Sequence, residues 1–148
     1  MTKHHSLSHA EAVARLIAEG WIVEEAVGFS NYIGPFWRRV SEGGDIVFGF
    51  LTDERHHNTR NVLQGGALMA FADRAIGYGA RHYAGVARIA TVQFDINFID
   101  AVQIGELVEA RPEVVRATKS LLFMRCTFTV GGRMVATAQG VWKVLRPA

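Results

Sequence analysis

Residues 61–82 read NVLQGGALMAFADRAIGYGARH. Paired glycines, Gly65 and Gly66, open directly onto Ala67, Leu68, Met69, Ala70, Phe71 and Ala72, all good or acceptable helix formers. The segment predicts one long apolar helix over 65–82, with a single carboxylate, Asp73, well inside it. Almost everything after it reads as strand. Residues 91–98, TVQFDINF, alternate strictly, with Val92, Phe94, Ile96 and Phe98 on one face and Thr91, Gln93, Asp95 and Asn97 on the other. Three more strand-like runs follow near 105–117, 120–130 and 133–145, the last two joined by the turn pair Gly131-Gly132. Pro112, inside the first of these runs, predicts an edge position or a bulge.

Upstream, Ser8 and Glu11 match a capping box, Ala10, Val13, Leu16, Ile17 and Trp21 recur at helical spacing, and Gly20 sits where a C-terminal cap belongs, which predicts a short helix over 8–19. A strand pair is expected within 36–51, turning at 42–44. The order is helix, two strands, loop, long helix, four strands. A lone hydrophobic helix among mostly antiparallel strands needs the sheet to wrap around it, so the fold class is α+β in one domain spanning 1–148.

Composition excludes several functions. Hydrophobic residues make up 49% and charged residues 20%, which is globular rather than disordered. No run approaches the roughly 18 apolar residues of a membrane span, and the N-terminal stretch MTKHHSLSHAEAVARL lacks a signal-peptide core, so a cytoplasmic location is expected. The net charge of +2 comes from scattered basic residues without a Lys/Arg run, which argues against nucleic acid. The single cysteine, Cys126, rules out an internal disulfide and a Cys-rich zinc site.

The glycine pair and Asp73 carry the chemistry. A helix that starts at glycines offers unpaired backbone N–H groups, with the positive end of the helix dipole behind them, to an oxygen that develops negative charge. On the pair alone, tight loop-to-helix packing is the plainer explanation. Asp73 needs a partner, a polar cavity or solvent, because an unpaired buried carboxylate is costly; in a partly desolvated cleft it is a candidate general base toward water.

The segment HHNTRNVLQGGALMAFADRAIGYGA resembles the signature of hotdog-fold acyl-CoA thioesterases of the phenylacetate-degradation type, and the resemblance covers about residues 45–145. In that family an asparagine precedes a His-Gly-Gly and an aspartate follows on the central helix. Asn58, Gly65-Gly66 and Asp73 occupy those positions, and Thr91 takes the usual Ser/Thr position on the next strand. The resemblance implies one helix wrapped by an antiparallel sheet and hydrolysis of an acyl-CoA to the free acid and coenzyme A. It needs no cofactor, coenzyme A being part of the substrate, and no metal. It implies that Gly65 N–H and the Asn58 side chain polarise the thioester carbonyl, that Asp73 activates water or attacks directly, and that Thr91 holds the water or the carboxylate. Gln64 departs from the pattern, standing where the family has histidine. An amide cannot deliver a proton at neutral pH, although a thiol of pKa near ~8.5 leaves without much acid help.

Eight residues separate Gly65 from Asp73, about 12 Å along a helix axis. One helix is therefore poorly placed to supply both groups to one thioester. Two antiparallel helices across a two-fold axis solve the problem, and a homodimer or a dimer of dimers is expected. Arg60, Arg81, Arg88, Arg116 and Lys119 are candidates for the phosphates of coenzyme A, and Phe36, Trp37, Phe71 and Trp142 for an acyl pocket or plain core. His56 and His57 read as solvated loop residues, and Cys126 as a packed core thiol. A non-catalytic acyl-CoA binding protein and a hotdog hydratase or dehydratase are the alternatives.

Overall fold

The computed structural model describes residues 7–146; residues 1–6, part of the stretch read as lacking a signal peptide, lie outside the described residues. The chain forms α1 (His9–Ala18), β1 (Ile22–Glu24), α2 (Gly28–Ile33), β2 (Phe36–Val40), β3 (Ile46–Leu51), α3 (Gly65–Ala84), β4 (Ile89–Phe98), β5 (Leu107–Ala117), β6 (Leu121–Val130) and β7 (Arg133–Val144). The strands make one sheet in the order β1-β2-β3-β5-β6-β7-β4. Every pairing is antiparallel. This is the expected hotdog fold: one long helix in a wrapped antiparallel sheet, plus an N-terminal helix. Among the described residues no helix is long and apolar enough to cross a membrane.

The sheet buries both faces at β2 and β3. Phe36, Phe48 and Phe50 join the core around α3, whereas Trp37, Val47 and Leu51 form a second cluster with Leu16 and Trp21 beside α1. The period of two in these strands thus serves two layers. Trp21 lies flat over the backbone of Gly49: a Cβ there would sit 2.7 Å from its ring. At the start of α1, Ser8 and Glu11 form the predicted capping box, and Gly20 follows the helix at φ +84°. Ile17, assigned by its spacing to the apolar face, is 61% exposed.

The small elements β1 and α2 were not legible in the periodicity. Three residues of β1 and six of α2 are too short to show a period, and their positions are set by partners: β1 pairs with β2, and Arg55 donates to the carbonyls of Tyr32 and Gly34 at the end of α2. The long helix runs two residues past its predicted end and stops at Gly85, whose left-handed backbone (φ +62°) closes the C-terminus.

Pro112 sits in β5, the fourth strand of the sheet, yet costs no ladder bond. β3 pairs with β5 only from Leu107 to Ala110, so the far side of Pro112 has no partner strand, while its other side opposes Cys126 of β6. It is a local edge, with an irregularity two residues on, between Val114 and Arg116.

Pro112 also sets how closely α3 approaches. A Cβ on Gly79 would lie 2.8 Å from Pro112 Cβ and 2.9 Å from Cγ, with a rigid ring in the way. Ala72, Ala75 and Ala80 of the same helix are buried to 1% exposure or less, so small residues bring the helix onto the sheet. Gly79→Val should therefore lower stability by about 2 kcal/mol through overpacking, a fall of roughly 4–8 °C in melting temperature. Gly77→Ala, whose added carbon meets only ordinary contacts at 3.6 Å, should leave the melting temperature level or raise it when both are read by thermal denaturation.

Candidate active site

Asp73 lies on the third turn of α3, half-buried, between the fully buried Ala72 and the exposed strand β4. Thr91 Oγ1 donates to its Oδ1 at 2.6 Å. The sequence alternation had put Thr91 on the face opposite Phe94. The structure overturns that reading, because a bulge interrupts the ladder: Thr91 pairs with Trp142 and Gln93 with Val141, leaving Val92 between them. Directly paired residues share a face, and Trp142 is part of the core around α3. The bulge thus turns Thr91 toward the helix and Val92, 59% exposed, out of register. Oδ2 of Asp73 keeps no partner among the described residues.

The pair faces a cleft of about 450 Å³ that extends along α3 past Gly77 to Tyr78 and Arg81 and is also lined by Arg88. Arg74 lines it too, although its amino group is spent on the Glu25 carbonyl (2.6 Å) and the Tyr78 hydroxyl (3.1 Å). Arg74 and Tyr78 were missed as site residues, though their spacing with Arg81 (i, i+4, i+7) marks one helix face. Of the four aromatic candidates, Trp142 alone lines the cleft; Phe36 and Phe71 are core, and Trp37 is in the cluster beside α1.

The second half of the expected site forms at the start of α3. Gln64 is the N-cap: its N–H donates to the His56 carbonyl at 2.7 Å, and its Oε1 accepts from Gly66 N–H at 3.4 Å. Gly65 N–H has no acceptor among the described residues. Both readings of the glycine pair find a cause. A Cβ on Gly65 would sit 3.2 Å from Phe98 Cζ, so packing favours glycine there, whereas Gly66 faces open space. Asn58 shapes the preceding turn, its Oδ1 accepting from Arg60 N–H (2.8 Å) and Val62 N–H (3.4 Å). That fixes the amide plane and leaves Nδ2 as the group with donors to spare.

This loop is anchored by a residue read as solvated. His56 is 3% exposed. Asp53 N–H donates to its Nδ1 at 2.9 Å, so its Nε2 carries the proton that reaches the Ile33 carbonyl at 2.7 Å. Only His57 is a surface residue. Burial of one histidine in HH could not be read from an adjacent pair that points two ways.

Asn58, Gln64, Gly65 and Gly66 are thus neighbours, and Asp73 and Thr91 are neighbours. The two groups are not joined within one chain, for none of the first four lines the Asp73 cleft. The basic candidates divide likewise. Arg88, Arg116 and Lys119 share the end of the sheet where Leu121 pairs with Lys143 and Lys143 with Ala90, whereas Arg60 belongs to the loop before α3. Among the described residues no cluster of three or more His, Cys, Asp or Glu could hold a metal ion.

The family model for the thioesterase superfamily matches residues 61–137, which include the helix start, Asp73 and Thr91. The chain belongs to the thioesterase superfamily. Thioester hydrolysis, the reaction class implied by the resemblance, goes with that membership. A protein of Pseudomonas aeruginosa named as a candidate esterase is 27% identical over 113 residues, covering 76% of this chain and 84% of its own. Among solved structures, the zebrafish thioesterase superfamily member 2 superposes with a TM-score of 0.72 at 20% identity, covering 82% of this chain and 89% of that one. The PaaI protein from the phenylacetic acid degradation operon of E. coli gives 0.66 at 16% identity, covering 91% and 86%. These last two show the shared fold.

Cys126 stands outside this chemistry. It is 2% exposed, within the core around α3, and burial pushes its thiol well above the ordinary range. A thiol shifted upward stays protonated, and so unreactive, through mildly alkaline pH. Alkylation at pH 8 should therefore label the native superfamily member at a small fraction of the rate seen after unfolding in guanidinium chloride, as measured by intact mass.

Proposed function

We propose that the chain hydrolyses an acyl-CoA thioester to the free acid and coenzyme A in the cytoplasm, with Asp73 as general base. The observation that carries the reading is the 2.6 Å hydrogen bond from Thr91 to Asp73 in an open cleft. Thr91 orients the carboxylate and leaves Oδ2 for water. Asp73 takes a proton from that water, the water oxygen bonds to the thioester carbon, and the carbonyl oxygen becomes an oxyanion. Gly65 N–H and Asn58 Nδ2 donate to it. As the carbonyl re-forms, the C–S bond breaks and coenzyme A leaves as thiolate; Gln64, a neutral amide, supplies no proton. Arg60, Arg88, Arg116 and Lys119 attract the coenzyme's phosphates.

The oxyanion donors and the base come from different copies of the chain in a two-fold dimer. Support comes from the axial separation of about 12 Å and from β4, an edge strand of the sheet. An open edge is a template for a further strand, and around it Val92 (59%), Phe98 (53%) and Met69 (38%) are exposed. A hydratase reading is disfavoured because no histidine lines the Asp73 cleft among the described residues.

Turnover of aliphatic and aromatic acyl-CoAs, followed by thiol release, should fall at least 100-fold in Asp73→Asn, as for loss of a general base. Thr91→Val should cost roughly 10- to 100-fold, the value of a hydrogen bond to a charged group, while Thr91→Ser retains most activity. Tight binding without turnover by the native protein would replace hydrolysis with a sensing role. Mixing the inactive Asp73→Ala and Asn58→Ala chains should restore activity through heterodimers holding one intact site. No recovery, with subunit exchange verified by native mass spectrometry, would sink the shared site.

A further inference from the structure

The cleft beside Asp73 holds more positive charge than a neutral acyl chain requires. Arg74 and Arg81 line it from α3, in addition to Arg88, which is assigned above to the coenzyme's phosphates, and Asp73 is its one carboxylate. Several arginines elsewhere, among them Arg39, Arg55, Arg125 and Arg133, meet carboxylates at 2.7–3.3 Å. Among the described residues, the three in the cleft have no carboxylate within salt-bridge distance. Two of them share one aromatic partner: the guanidinium carbons of Arg74 and Arg81 lie 4.6 and 4.5 Å from the centroid of the same Tyr78 ring. The ring's π system attracts both cations but neutralises neither.

A second observation points the same way. Arg81 Nε is buried without a hydrogen-bond partner, and so is the indole N–H of Trp142, a cleft residue only 1% exposed. That N–H lies behind Gly77, 3.6 Å from where a Cβ on Gly77 would stand. Buried donors without acceptors are uncommon in folded proteins; Trp21, Trp37 and Arg39 beside α1 carry others, and Arg81 and Trp142 bear on the cleft because both line it.

We infer that this cleft receives a carboxylate at the far end of a short acyl chain, so that the substrate is the mono-thioester of a dicarboxylic acid. The inference rests on the hydrolytic reading above and adds the acyl class to it. Its argument is one of reach. A helical side chain leans toward the helix N-terminus, and Arg81 does so by covering Tyr78. Its guanidinium therefore lies near the level of Tyr78, five residues or about 7–8 Å beyond Asp73 along the axis. A thioester carbon beside Asp73 and a carboxylate three or four carbon–carbon bonds away span about 4–6 Å, and a charge-assisted hydrogen bond of about 2.8 Å closes the remainder. The pyrophosphate of coenzyme A is some thirteen bonds from the sulfur, roughly 15 Å when extended, and overshoots Arg81. Guanidinium forks match carboxylates in two-point geometry, and the half-exposed Ser30, also in the lining, offers a hydroxyl.

The test compares glutaryl-CoA with valeryl-CoA, equal in carbon number and different in the terminal charge. The native protein should show a kcat/KM at least tenfold higher for glutaryl-CoA. In Arg81→Met that ratio should fall to near one, mostly through KM, and Arg81→Lys should restore part of it; melting temperatures establish that each variant folds. An equal loss on both substrates would assign Arg81 to the coenzyme's phosphates and overturn the inference, as would a native preference for valeryl-CoA. If no thioester is turned over, hydrolysis is refuted, and calorimetry still decides the cleft's ligand. Tighter native binding of glutaryl-CoA than of valeryl-CoA, with the difference abolished in Arg81→Met, upholds the carboxylate; equal binding rejects it.

Discussion

One irregularity in one strand governs the geometry of the site. In a strand of strict alternation, Thr91 would share a face with Gln93 and Asp95 and point away from α3. The bulge at Val92 moves it onto the face of Trp142, where it reaches Asp73 at 2.6 Å. A bulge forfeits ladder pairing and increases the local twist, so it persists where neighbouring contacts determine it. Here Gly140 supplies such a contact: opposite Phe94, it lets β4 come so close to β7 that a Cβ would overlap the Gln93 carbonyl. On the helix side, Gly79 against Pro112 and the buried alanines set the depth of α3. Asp73 and Thr91 are thus fixed from two directions, and the hydrogen bond between them adds little ordering cost.

The helix start is built on a different principle. Its loop is irregular, and its backbone groups find partners in side chains: His56 ties it to Asp53 and the end of α2, while Asn58 closes the following turn. Buried backbone polar groups demand such pairing. The result is a rigid ledge with the Gly65 donor left over. A ledge and a carboxylate separated by two helical turns are both preorganised yet cannot meet within a chain. Symmetry resolves the conflict without moving either, because antiparallel helices bring a start beside a middle while each side chain keeps its local supports.

Legibility followed the same division. The long helix, the four late strands and the 36–51 hairpin were readable because each is long enough to display a period, and Asp73 stood out as the lone charge in an apolar run. Thr91 was selected by position in a family pattern, not by its apparent face, which the alternation had wrong; nothing in TVQFDINF announces a bulge. Residues 22–33 were opaque, since three or six residues cannot show periodicity and their placement comes from β2 and Arg55. His56 was misread because its burial depends on acceptors and donors 3 and 23 residues away. Arg74 does not pair with its neighbour Asp73, yet two side chains that diverge on a helix can still border one cleft.

Gln64 acquires a meaning that comparison with histidine alone would miss. Its backbone N–H and side-chain oxygen are both engaged, holding the loop to His56 and covering Gly66 N–H. Within the proposed mechanism, that leaves Gly65 N–H and the Asn58 amide as the oxyanion donors, and no acid beside the leaving group. The consequence depends on what leaves. A thiolate with a conjugate-acid pKa near ~8.5 departs unaided, whereas amines leave poorly unless protonated and alkoxides are far more basic than thiolates. A capping amide at this position therefore costs little for thioesters and much for oxygen esters or amides. The residue that breaks the family pattern narrows the chemistry toward the substrate class that needs its proton least.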